Sequence, residues 1–369
     1  MIISKITLYH VRMPLRSHFE TSFGRITTRD CLIVEAEAEG LVGYGECVAD
    51  RDPGYSYETS STAWHILKDF IAPAILHENI NSPSDLQQKM EFVRGHLMAK
   101  SALEMAVWDI TGKQEGKSIQ QLLGGVKPSV PVGVSVGLQD TPAELVKVVG
   151  NYLSQGYRRI KIKIKPGRDI ADAQAVRQAF PDVLLQVDAN SAYRLDTAGS
   201  LLPLDSLGLL LIEQPLAEDD LWDHSRLQKQ FSTPICLDES ILSARHARQA
   251  MEMQACRVIN IKTGRVGGLA EALAIHNLCF PQGIPVWCGG MLETGVGRAA
   301  NLALASLPGF SLPGDLSATD RYYDRDITNE RFTLNPDSSI DVPTQAGLGV
   351  SINRQNLEEF TLAKTIITA

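Results

Sequence analysis

Five charged residues recur at nearly constant intervals through the middle of the chain. Lys163, Asp188, Glu213, Asp238 and Lys262 follow one another in steps of 25, 25, 25 and 24 residues. Each ends a short apolar run: RIKIK, LLQVD, LLLIE, ICLD and VINIK. Three carboxylates delivered by successive units make a hard, all-oxygen site. That donor set suits Mg²⁺, with Mn²⁺ as a substitute, because such ions take carboxylate and water and leave positions open for substrate. Zinc is disfavoured, since no His or Cys stands beside these run ends except Cys236, two residues before Asp238. The plainer alternative is a ring of salt bridges between the carboxylates and the lysines. A lysine held near a dication and a second lysine is disfavoured in its charged form, so its pKa falls and it can serve as a base. Arg265, three residues after Lys262, pushes the same way if it folds back behind the ammonium. One base on each side of a chelated carboxylate is the apparatus for removing a proton from the adjoining carbon. Lys161 lies two residues before Lys163 and so shares its face of a strand. It is expected to stay cationic and to bind a carboxylate.

A step of this length is one strand and one helix. From residue 128 onward, short apolar segments (VPVGVSVG, RIKIKI, LLQVDAN, LLLIEQP, TPICLDES, VINIKT, IPVWCGG) alternate with helical periodicity, clearest over 141–155, 169–180 and 269–280. Seven strands are legible, and an eighth is expected between Phe310 and Leu316. The pattern predicts an α/β fold with a parallel sheet closed into a barrel, whose active site lies at the C-terminal strand ends. The first part reads differently. Residues 2–13, 31–38 and LVGYGEC have strand character, and helical spacing follows from about Ser60, with a further helical stretch over 100–123 that ends at Gly124. Two domains are expected: an α+β domain over 1–127, completed by the returning tail 343–369, and the barrel over 128–342.

The chain has 369 residues and a formal net charge of −8, which argues against a sequence-independent nucleic-acid binder but leaves room for a local cationic pocket. Six scattered cysteines without a CxxC read as reduced thiols of a cytoplasmic protein. The N-terminus lacks the apolar core of a signal peptide, and the longest uncharged stretch, 272–292, is interrupted by Pro281 and Pro285, so no membrane association is expected. GKQEGKS (112–118) lacks the first glycine of a phosphate loop and reads as a helix end and turn. None of the eight histidines falls on an expected barrel strand end. Glu239 and Glu293 stand next to candidate site residues, either as supporting partners or as solvated loop charges.

KIK (161–163), the carboxylate spacing, NIK (260–262) and GGMLETGVGRAAN (289–301) resemble the muconate-lactonizing-enzyme subgroup of the enolase superfamily. WCGGMLE (287–293) and PGDLSATDRYYDRDIT (313–328) are similar to its o-succinylbenzoate synthase / N-acylamino acid racemase family. The resemblance covers essentially the whole chain. It implies a (β/α)7β TIM-like barrel with an N-terminal α+β capping domain, Mg²⁺ on Asp188, Glu213 and Asp238, and Lys163 and Lys262 as the catalytic pair. It also implies substrate contacts at Ser135, Lys161, Asn190, Arg265, Gly290 and Met291, and a closing loop over about 17–25. The implied substrate is a small anionic carboxylate and the implied assembly a homo-oligomer. The implied activity is o-succinylbenzoate synthase, a syn dehydration in menaquinone or phylloquinone synthesis. Racemisation of N-acylamino acids (N-succinylamino acids) by the same two lysines is the alternative. A dipeptide epimerase is disfavoured, because Asp315-Leu316-Ser317 lacks the DxD that would hold a substrate ammonium. A barrel that only binds a metabolite would show no metal-dependent proton exchange.

Overall fold

The structure is a computed structural model that describes residues 1–21 and 24–368. Its first part is a four-stranded antiparallel sheet. Strands β1 (Ile3–Thr21), β2 (Gly24–Ala38) and β3 (Leu41–Cys47) run in sequence, and the last strand of the chain, Thr361–Thr368, pairs with β1 at the outer edge. Helix α1 (Leu97–Glu115) lies across β3, with contact so close that no side chain fits between them. A Cβ on Gly43 would meet the Ala106 carbonyl at 2.1 Å, and one on Gly45 the Ala102 carbonyl at 1.9 Å. The GYG of β3 is therefore required by packing. GKQEGKS is the end of α1, closed by Gly116, followed by Ser118 capping the short helix 119–123.

After β4 (Ser129–Pro131) the chain builds seven parallel strands, β5 (Val134–Val136), β6 (Arg159–Lys163), β7 (Leu184–Asp188), β8 (Ile212–Glu213), β9 (Ile235–Leu237), β10 (Val258–Ile261) and β11 (Val286–Cys288), each hydrogen-bonded to the next. The helices between them include α2 (Pro142–Ser154), α3 (Ile170–Ala179), α4 (Leu221–Gln228), α5 (Ala244–Glu252) and α6 (Leu269–Cys279), and α7 (Gly295–Ala305) follows β11. Ile160, Ile162, Leu185, Val187, Ile259 and Ile261 alternate with the inward-facing polar residues and are wholly buried between the sheet and its helices. The remaining strands are β12 (Ser339–Asp341), which pairs with β4, and β13 (Thr361–Thr368), the edge strand already described. No helix among the described residues is long and apolar enough to cross a membrane, and all six cysteines are buried and free.

One expectation is corrected. The eighth barrel strand is not a regular strand. Residues 310–315 join the two edges of the sheet through isolated parallel bridges, Val286 to Phe310 and Val132 to Gly314, with the Asp315 amide donating to the Cys288 carbonyl at 2.9 Å. Pro308 and Pro313 lack the N–H that a continuous ladder needs. The expected closing loop over 17–25 is, in its described residues, the tip of the long β1–β2 hairpin, with Phe19 opposite Ile26 and Thr21 opposite Gly24. Residues 22 and 23 of that stretch lie outside the described residues.

Candidate active site

Parallel pairing places the charged strand ends on one rim. Lys163 is opposite Asp188 and Asp188 is opposite Glu213 in the ladder, while Asp238 and Lys262 directly follow β9 and β10. A cavity of about 200 Å³ opens between this rim and the N-terminal sheet. Lys161, Lys163, Asn190 and Lys262 line it from the barrel side, together with Ser135 and the Gly290–Met291 backbone. Phe19, Ile26 and Tyr55 line it from the other.

The carboxylates are buried and each is held by cations. Asp188 Oδ2 accepts from Lys163 Nζ at 2.7 Å and lies 3.2 Å from Lys161 Nζ. Burial opposes ionisation there, but the two ammonium groups outweigh it and hold the Asp188 carboxyl well below the usual range. Glu213 accepts from Lys161 at 3.0 Å and from Asn260 Nδ2 at 2.9 Å. Its pKa is raised by burial and by neighbouring Asp188. Asp238 accepts from Lys262 Nζ at 2.7 Å, from Tyr55 Oη at 3.0 Å and from Arg265 Nη1. Next to it, Glu239 is pushed up to about 7 by burial and by Asp188. Its Oε1 accepts from Asn190 at 3.1 Å, while its Oε2 is buried without a partner. Glu293 Oε1 accepts from Asn301 Nδ2 at 2.9 Å. Both glutamates therefore support neighbouring polar side chains, and neither is a solvated loop charge.

The expected lowering of a lysine pKa depends on the dication; the protein's own groups push Lys262 and Lys161 the other way. Burial alone would lower Lys262, but Tyr55, Glu239 and Glu213 outweigh it and raise its pKa. The same balance, with Asp315, Glu213 and Asp188 as partners, raises Lys161, in keeping with a permanent cation. For Lys161 the carboxylates win because Asp315, Glu213 and Asp188 lie at 2.6, 3.0 and 3.2 Å from its ammonium, where pairing exceeds the cost of desolvation.

A hard cation fits this donor set. The donors are oxygen only and come from three consecutive strand ends, and beside them Glu239 Oε2 is buried without a partner. As placed, no three His, Cys, Asp or Glu side chains among the described residues converge on one point, because the lysine ammonium groups stand between the carboxylates.

Arg265 departs from its expected place as a substrate contact. It lies behind the cavity, not on it. Nε donates to the Ile241 carbonyl at 2.8 Å, Nη2 to the Asn260 carbonyl at 2.6 Å, and Nη1 to Asp238. Three residues that the sequence reading did not place in the site complete it. Asp315 holds Lys161 at 2.6 Å and Arg159 at 2.6 Å. The Trp287 ring lies 5.0 Å beneath the Lys161 ammonium. Tyr55 reaches Lys262 from the N-terminal part. Asp315 and Trp287 sit inside segments already noted for their resemblance, whereas Tyr55 lies in a Gly- and Ser-containing loop with no local signal.

Residues 3–124 match the family described as mandelate racemase / muconate lactonizing enzyme, N-terminal domain, and residues 144–356 match the one described as enolase C-terminal domain-like. The chain is 49% identical to o-succinylbenzoate synthase of Geobacillus stearothermophilus, over 97% of this chain and 96% of that one. It is 50% identical to N-succinylamino acid racemase of an Amycolatopsis species, over 100% of both chains. The crystal structure of an enolase-superfamily member from Listeria innocua superposes with a TM-score of 0.95 at 42% identity, covering 100% of this chain and 99% of that one. With the two lysines and three carboxylates on one barrel rim, the chain belongs to the mandelate racemase / muconate lactonizing enzyme family of the enolase superfamily, in the group of o-succinylbenzoate synthases and N-succinylamino acid racemases.

Proposed function

We propose that this enzyme is an o-succinylbenzoate synthase, which dehydrates 2-succinyl-6-hydroxy-2,4-cyclohexadiene-1-carboxylate to 2-succinylbenzoate in the cytoplasm as a step of menaquinone or phylloquinone synthesis. The observation that carries the reading is the placement of Lys163 and Lys262. They stand four strands apart around the rim and line one cavity, with carboxylates on the strands between them. The synthases among its relatives support the choice of reaction.

Members of this superfamily are magnesium-dependent in general, and Asp188, Glu213 and Asp238 are the residues that would hold the ion. When bound, a divalent cation there supplies positive charge beside the substrate carboxylate, so that the adjoining C–H bond is acidified. Lys163, held by Asp188 and Asn190, takes the α-proton and returns it to the departing hydroxyl on the same face. Lys262 remains an ammonium and faces the negative charge that develops on the carboxylate carbon and its oxygens. Lys161, pinned as a cation, and the Gly290–Met291 backbone meet the substrate's anionic groups. The apolar wall of Phe19 and Ile26 excludes water from the ring.

Racemisation of N-succinylamino acids is the second reading. It is favoured by the same geometry, since it needs one base on each face, and by racemases of 50% and 46% identity. Steady-state assays of the purified enzyme on both substrate classes, with and without EDTA, test the two readings. Dehydration that is lost with chelator and restored by Mg²⁺ is expected, and no turnover of the cyclohexadiene carboxylate at any Mg²⁺ concentration sinks the first reading. A homo-oligomer belongs to the same proposal and is checked by light scattering.

A further inference from the structure

The two candidate bases are held in different ways. Lys163 is oriented wholly from within the barrel, by Asp188 Oδ2 at 2.7 Å and Asn190 Oδ1 at 2.8 Å. Lys262 has one barrel partner, Asp238 Oδ2 at 2.7 Å, and one partner from the segment between β3 and the first helix, Tyr55 Oη at 3.1 Å. The Tyr55 hydroxyl donates to Asp238 Oδ1 at 3.0 Å, so it accepts from Lys262 and the three groups close a triangle. The ammonium also lies 4.3 Å from the centre of the Tyr55 ring. A primary amine has four tetrahedral directions. One is the bond to Cε, and two N–H bonds are directed at Asp238 and Tyr55. The fourth direction, which carries the lone pair of the neutral base, is then fixed, and Lys262 lines the cavity.

We propose that Tyr55 is the positioning residue of Lys262, and that it sets the balance between one-base and two-base chemistry in this site. The inference rests on the proposal that both dehydration and racemisation use this lysine pair. In racemisation the amine on one face takes the α-proton, the C–H electron pair stays on the substrate as the enediolate, and the ammonium on the other face delivers a proton to the same carbon. The direction of the Lys262 lone pair therefore governs one enantiomer's deprotonation. In dehydration Lys262 acts only through its charge, which does not depend on rotation about the Cε–Nζ bond. Tyr55 can serve in this way because its loop is tied at both ends. The Ser60 amide donates to the Asp50 carbonyl at 2.8 Å, Asp50 lies 3.3 Å from the buried Arg29, and Glu58 accepts from the amides of Met98 and Ala99 at 2.9 and 3.1 Å.

The test uses the full-length Mg²⁺ enzyme and follows α-deuterium exchange in D₂O on N-succinyl-L-phenylalanine and on its D enantiomer, separately. Lys262→Ala identifies the enantiomer that Lys262 serves. Tyr55→Phe keeps the ring and removes the hydroxyl. It is expected to slow exchange of that enantiomer about tenfold through kcat, as befits one lost hydrogen bond to a charged group. Exchange of the other enantiomer and both KM values are expected to stay within about twofold, well below the loss of such a bond, and dehydration is expected to fall less than the affected exchange. Tyr55→Leu, which also removes the ring, is expected to deepen the same one-sided loss. Equal loss on both enantiomers or a change confined to KM overturns the positioning role. Wild-type enzyme that exchanges neither enantiomer overturns the two-base reading itself, and the proposal with it, so the two failures appear in different proteins.

Discussion

Lys161 and Asp315 form a 2.6 Å ion pair at the bottom of the cavity, with both side chains almost fully buried and Arg159 on the second oxygen of the carboxylate. Asp315 lies on the bridge segment that closes the barrel, so the pair also ties the first lysine of the KIK motif across the seam. Burial opposes ionisation of Asp315, but Lys161 and Arg159 hold its carboxyl well below the usual range.

This arrangement predicts the behaviour of two variants. Lys161→Met leaves Asp315 and Glu213 without a shared counter-charge and should destabilise the protein by about 3–5 kcal/mol, while lowering turnover and substrate affinity together. Asp315→Asn keeps the lysine charged, so its effect on affinity should be smaller. Chemical denaturation and steady-state kinetics on a dianionic substrate check both, and Lys161→Met with unchanged kinetics would remove Lys161 from the binding site.

The carboxylates lead to a second expectation. Asp188→Asn, Glu213→Gln and Asp238→Asn each remove one negative charge from the set proposed for Mg²⁺. Each should weaken Mg²⁺ binding at least about tenfold, or ~1.4 kcal/mol, and remove most activity while the barrel stays folded. Isothermal calorimetry with Mg²⁺ alone reads this directly, and unchanged affinity in all three variants would show the site to be elsewhere.

The lysines separate by reaction. Lys163→Ala should lower dehydration by roughly 10²–10⁴-fold, the usual contribution of a general base, whereas Lys262→Arg keeps the charge and should retain a measurable fraction. Each Lys→Ala change should abolish racemisation and leave exchange of one enantiomer. Dehydration by Lys262→Arg no faster than by Lys163→Ala, or exchange of both enantiomers by either single alanine variant, would refute the assignment of roles.

Glu104 offers a test of the contact between α1 and the barrel. Its carboxylate accepts from the amides of Leu269 and Ala270 at 2.9 Å each, at the start of α6, and a Cβ on Gly268 would meet it at 2.5 Å. Burial pushes its pKa up to about 7 against an ordinary 4.5, although the two amides and the Trp108 indole pull the other way. A raised native pKa means that the folded state binds the proton more tightly than the unfolded chain. This contribution to stability is therefore complete below about pH 4.5 and is lost as pH rises through 7. Glu104→Gln keeps one acceptor oxygen and does not titrate. Its stability relative to wild type should improve by up to about 3 kcal/mol between pH 5 and pH 8. Thermal or urea unfolding at both pH values checks this, and a pH-independent difference would contradict it.

The sequence alone determined the barrel and which charged residues stand on its rim. Strand and helix periods are local properties, and a repeat of about 25 residues must return successive strand ends to one edge of a parallel sheet. Asp188, Glu213, Asp238 and the two lysines were legible because each breaks an apolar run at the same point of its unit. Tertiary structure decided what surrounds them. Tyr55 meets Lys262 across 207 residues of chain, and Glu104 meets Leu269 across 165. Such pairs have no period, since they depend on how the N-terminal sheet and α1 settle on the barrel. The same holds for the raised pKa values of Lys161 and Lys262. Residue type shows that a lysine can be a base, but its pKa follows from the balance of burial against the carboxylates within reach, and only the packed rim sets that balance.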